Sequence, residues 1–135
     1  MKSIILILST ALMGGCQLIS PILTNYNGVR MDVAHYINQS WYFGLKERDI
    51  LVKYAKAQQQ VTAWPRLSTE QQQQLAQQRR IGRWCSEQKI TPKKLDLIDY
   101  KIFADHSAQE KLKAMKKMQQ TLSLNLANID CHHKF

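Results

Sequence analysis

Residues 68–103 read STEQQQQLAQQRRIGRWCSEQKITPKKLDLIDYKIF, and this stretch decides the fold class. Ser68 is followed three residues later by Gln71, the capping-box arrangement in which two side chains satisfy backbone amides left free at a helix start. Behind that cap, Leu75, Ile81, Trp84 and Cys85 define an apolar stripe, with glutamine and arginine on the other faces. Thr91-Pro92 is a second start signal, because proline at the first helical position has no amide to lose. Leu95, Ile98, Ile102 and Phe103 then recur at helical spacing.

The same grammar extends in both directions. Toward the C-terminus, Ser107 with Glu110 makes a third cap, and Leu112, Met115, Met118, Leu122 and Leu126 form a long stripe. Toward the N-terminus, helical patterning starts at Val29. Val33, Ile37, Trp41 and Leu45 follow at intervals of four, with Tyr36 beside them. Gly44 interrupts, and the stripe resumes out of phase at Ile50, Leu51, Tyr54, Ala57, Val61 and Trp64. That predicts one helix kinked near Gly44, or two helices meeting there, with Pro65 ending the run. Gly and Pro number only 5 and 3, without the regular turn signals of a β-sandwich. The expected fold is all-α: a small four- to five-helix bundle over residues 29–135.

Residues 1–15 have a different grammar. Met1-Lys2 is a short positive start, Ile4 to Leu12 is apolar, and Gly14-Gly15 supplies small residues for cleavage, as in a secretory signal peptide. The run is too short to span a membrane. Leu12-Met13-Gly14-Gly15-Cys16 resembles the lipobox of bacterial lipoproteins, with Met13 standing where leucine is usual. The resemblance implies that Cys16 becomes the first residue and carries the lipid. Gln17, rather than aspartate, then implies transport to the outer membrane, with the body on the periplasmic face. At about 0.8 kcal/mol per buried CH₂, three acyl chains would make a permanent anchor. Residues 16–28 read as the lipidated N-terminus and tether; its eleven residues 17–27 reach at most about 36–40 Å.

An exported chain folds in an oxidising compartment, so the remaining two cysteines, Cys85 and Cys131, read as a disulfide. Two reduced, buried thiols are the competing reading. Charge is uneven: of 19 Lys and Arg and 10 acids, 11 and 5 respectively fall between Arg79 and Lys117. Arg79, Arg80, Arg83, Lys113, Lys116 and Lys117 are therefore candidates for binding anionic envelope molecules such as lipopolysaccharide or acidic lipid. A solvated basic face is the plainer alternative, and nucleic acid is not an expected partner in that compartment.

Nothing in the sequence has the pattern of an enzyme: it lacks G-x-S-x-G, a glycine-rich phosphate loop and H-E-x-x-H. Asp96 and Asp99 share a helix face but sit among Lys93, Lys94 and Lys101, which reads as surface pairing. Asp130-Cys131-His132-His133 has metal-binding residue types, yet adjacent histidines rarely reach one ion and a bridged Cys131 has no thiolate. No metal or cofactor is expected. The glutamine runs, 58–60 and 71–74, read as solvated helix surface or as a polar seam for a partner helix. Trp41-Tyr42-Phe43 on a helix would span over half its circumference, leaving at least one ring partly exposed as a partner anchor.

The lipobox-like start, the length, the helical pattern and the cysteines in RWCSEQKI and NIDC together resemble the type II secretion pilotins, small helical lipoproteins with a disulfide. The resemblance implies a non-enzymatic adaptor that cradles a helix of a secretin, or of another outer-membrane complex, and a Cys85–Cys131 bridge.

Overall fold

The computed structural model describes residues 25–132, and these open with a hairpin. β1 (Asn25–Tyr26) pairs antiparallel with β2 (Val29–Arg30), placing Tyr26 opposite Val29. Asn27 and Gly28 form the turn, with φ of +54° and +81°. Both are left-handed, as a two-residue hairpin turn requires, and Asn-Gly is the pair that adopts this geometry most readily. The folded body therefore starts before residue 29, and the last four residues assigned to the tether belong to it.

α1 (Met31–Gln39) and α2 (Leu45–Gln59) are separate helices, so the interruption at Gly44 is a break. A 3₁₀ segment, Gln60–Arg66, continues α2 and carries Pro65. α3 (Thr69–Glu87), α4 (Pro92–Ile102) and α5 (His106–Thr121) complete five helices, followed by a 3₁₀ turn at Leu126–Asn128. α2 packs against α1, α3 and α4, while α5 closes over α3 and the Gln60–Arg66 segment. Val33, Ile37, Leu51, Tyr54, Val61, Leu95, Ile98, Ile102 and Met115 are all buried in the centre. The expected all-α bundle is what forms.

Two of the three expected helix starts are found at the expected residues, though of the two only Ser68 makes a side-chain cap bond. Ser68 Oγ accepts from the Gln71 amide at 3.3 Å, and Gln71 Oε1 accepts from the Ser68 amide at 2.9 Å. Thr91 precedes α4, with Pro92 in its first turn. The third differs: Asp105, not Ser107, caps α5, its Oδ1 accepting from the Ala108 amide at 2.8 Å. A carboxylate is the stronger acceptor at the positive end of a helix, so it displaces the hydroxyl two residues on.

The stripes are also shorter than their periodicity suggests. α5 ends at Thr121, so Leu122 lies at its C-cap and Leu126 in the final 3₁₀ turn. Trp84, expected in the core, is 37% exposed, and its neighbour Cys85 takes the inward position. The glutamines of the first run are largely structural. Gln58 is buried, while Gln59 accepts from the Arg30 amide at 3.0 Å and donates to the Gly28 carbonyl, holding the hairpin to α2.

Candidate functional site

The aromatic triplet lies in the connection between α1 and α2 instead of on a helix, because α1 ends at Gln39. Its three rings consequently have three different environments. Phe43 is 2% exposed and meets Tyr36 edge-on at 5.6 Å. Tyr42 is half-buried between Phe43 and Trp41, with the Lys94 ammonium 5.2 Å from its ring centre. Trp41 is 92% exposed. Leu45, predicted to continue the buried stripe, is 80% exposed at the start of α2. Both residues leave the stripe for one reason: α1 ends at Gln39 and the chain turns at Ser40.

Three long hydrogen bonds close that turn. Ser40 Oγ accepts from the Tyr42 amide at 3.3 Å, and the Ser40 carbonyl accepts from Phe43 and from the Arg48 guanidinium, each at 3.4 Å. Glu47 accepts from the Gly44 amide at 2.8 Å and from Lys94 at 2.6 Å, tying α2 to α4. These two donors hold the Glu47 carboxyl below its ordinary range, Lys94 contributing most. An exposed tryptophan and leucine thus project from a fixed corner.

The six basic candidates separate into two groups. Arg79 is 6% exposed, lies over the Phe103 ring, donates to Gln58 and pairs with Asp99 at 3.5 Å. It is an interior ion and not part of an outer basic surface. Arg83 reaches Glu87 at 2.6 Å, Asp96 at 2.8 Å and Asp99 at 3.4 Å, so it is neutralised from within. Hence Asp96 and Asp99 pair with arginines of α3, where lysines of their own helix were expected. Arg80, Lys113, Lys116 and Lys117 have no acid partner within 4 Å among the described residues.

Asp99 also accepts from the Tyr54 hydroxyl at 2.9 Å, which makes Tyr54 a member of this network that had read only as core. Its other oxygen has no donor among the described residues. Burial pushes the Asp99 carboxyl up, against the opposing pull of Arg79, Tyr54 and Arg83. The same burial lowers Arg79 and raises Tyr54. Each charge here is costly to desolvate and needs the others to stay ionised.

Cys85 and Cys131 form a disulfide with Cα atoms 5.3 Å apart. It fastens the segment after α5 to α3. Asp130 Oδ1 accepts from the His132 amide at 2.9 Å, while His133 lies outside the described residues. Among the described residues no three His, Cys, Asp or Glu side chains converge as a metal ion would require, and no helix is long and apolar enough to cross a membrane. Cys16 and the signal-like segment likewise fall outside the described residues. No protein-family model, no curated protein and no solved structure matches the chain.

Proposed function

We propose that this chain is a lipid-anchored, non-enzymatic adaptor of the bacterial envelope that binds another envelope protein through the Trp41–Leu45 corner. One observation carries the reading: two large apolar side chains, four residues apart, are 92% and 80% exposed on a turn that hydrogen bonds hold in place. Truncating an exposed anchor of this kind typically removes much of an interface's binding energy. The occupant it fits is an apolar segment with acidic flanks. Lys46 is exposed beside the pair. Cys16 is the proposed lipid site, and the outer membrane, on its periplasmic face, the proposed location. The pilotin-like reading, with a secretin helix as cargo, is the most specific form of the proposal.

The test is photo-crosslinking in cells from position 41, with position 73, exposed on α3, as the control. The expected result is capture of one envelope protein from 41 alone. The purified partner should bind the wild-type chain and bind Leu45→Ala about tenfold more weakly. Equal capture from both positions, or undiminished affinity of Leu45→Ala, would overturn the corner as the binding site. For the anchor, Cys16→Ser should release the protein from membranes; continued sedimentation with them would sink the lipoprotein assignment.

A further inference from the structure

A second site lies in the cleft where α3 and α5 meet, and it is independent of the Trp41 corner. The cleft encloses about 360 Å³, and its walls include Tyr54, Arg80, Arg83, Trp84, Asp99 and Lys116. Side chains of four helices line this half-open cleft. The lysine-rich furrow on α5, which shares Lys116 with the cleft, is lined by that one helix alone.

Four cations and three acids line the cleft, and the ion pairs are unevenly shared among them. Arg83 contacts all three acids, Glu87, Asp96 and Asp99, and Arg79 shares Asp99. Arg80 and Lys116 are left over. Arg80 makes one long bond, to the Leu122 carbonyl at 3.4 Å, and neither cation has an acid within 4 Å among the described residues. Arg80 and Trp84 stand one turn apart on the same face of α3, and Lys116 comes from the helix packed against it.

We propose that this cleft binds a phosphate monoester, with the phosphate held between Arg80 and Lys116 and the rest of the ligand lying on Trp84. A phosphate monoester carries about −1.5 to −2 charges at neutral pH, and it would meet the two cations without ion pairs in a cleft whose four cations outnumber its three acids. The guanidinium offers a planar fork and the ammonium a point charge, and both suit phosphate oxygens. Trp84, 37% exposed, gives a sugar, glycerol or ring a flat apolar wall. Lys113 and Lys117, exposed on α5, add positive potential that steers an anion to the rim. The phosphate can belong to a soluble metabolite or to a lipid headgroup.

The test titrates the full-length protein, in neutral detergent, with inorganic phosphate and glycerol 3-phosphate. In parallel, the same detergent carries either phosphatidic acid, a monoester, or phosphatidylglycerol, a diester. Binding is read from the tryptophan fluorescence change that Trp84→Phe should abolish. The expected result is saturable monoester binding, weakened at least about tenfold by Arg80→Ala and by Lys116→Ala and unchanged by Lys56→Ala. Should Arg80→Ala fail to fold, Lys116→Ala on the exposed face decides alone. Saturation by the free monoesters assigns a soluble ligand; saturation by phosphatidic acid alone assigns a headgroup. The proposal is overturned if no monoester saturates, if phosphatidylglycerol binds as well as phosphatidic acid, or if Lys56→Ala weakens binding as much.

Discussion

The Arg79 guanidinium on α3 and the Asp99 carboxylate on α4 face each other at 3.5 Å, with side chains only 6% and 21% exposed. Tyr54 of α2 donates to the same carboxylate oxygen at 2.9 Å, so one aspartate joins three helices. Removing it leaves Arg79 as an uncompensated buried charge. Asp99→Ala should destabilise the protein by about 3–5 kcal/mol. Tyr54→Phe, which loses one hydrogen bond and keeps the ring, should cost about 1–3 kcal/mol. Urea unfolding of both variants measures the difference, and equal losses would show that the ion pair is not what matters.

Acid should act on this protein through carboxyls shifted in opposite directions. Glu47 sits below its ordinary value, because Lys94 and the Gly44 amide stabilise its anion. Its contribution is present above the ordinary glutamate range and is lost as pH falls through the depressed value. Asp99 sits above its ordinary value, because burial disfavours the anion. It favours the folded state most below the ordinary aspartate range, and that advantage disappears as pH rises through the raised value. Glu47→Gln should therefore flatten the loss of stability between neutral and acid pH, whereas Asp99→Asn should steepen it. Thermal melts across that range would show either slope.

Cys85 and Cys131 are 46 residues apart, and their bridge closes a loop that includes all of α4 and α5. Loop entropy alone assigns roughly 4 kcal/mol to that closure. Reduction, or the double change Cys85→Ala and Cys131→Ala, should lower stability by about that amount. Hydrogen exchange should quicken first in residues 122–132, which the bridge fastens to α3. Unchanged exchange there would mean that packing of Leu122 and Leu126 suffices.

Trp41 and Phe43 are two residues apart and should separate stability from binding. Phe43→Ala removes a buried ring from the core and should cost about 3–5 kcal/mol. Trp41→Ala, at a 92% exposed side chain, should leave stability within about 0.5 kcal/mol while weakening the proposed partner contact. A large stability loss from Trp41→Ala would place that ring in a packed environment and remove it as an anchor.

What the amino-acid sequence determined by itself is local. The Ser68–Gln71 cap, the Thr91-Pro92 start and the stripes of Leu95, Ile98 and Ile102 are readable because a helix relates residues three and four apart, wherever it sits. Asn27-Gly28 beside Val29 is a turn signal as well, and it competes with the helical pattern that begins at Val29. The tertiary structure decided the rest. Trp41, Tyr42 and Phe43 are alike in the sequence, and only the turn at Ser40 sets which ring is buried. Arg79, Arg80 and Arg83 form one basic cluster in the sequence, but Asp96 and Asp99 lie 13 to 20 residues away on another helix. Which arginines those acids neutralise depends on how α3 and α4 pack, and that register comes from the whole core at once. The two cations left at the rim, Arg80 and Lys116, follow from that packing.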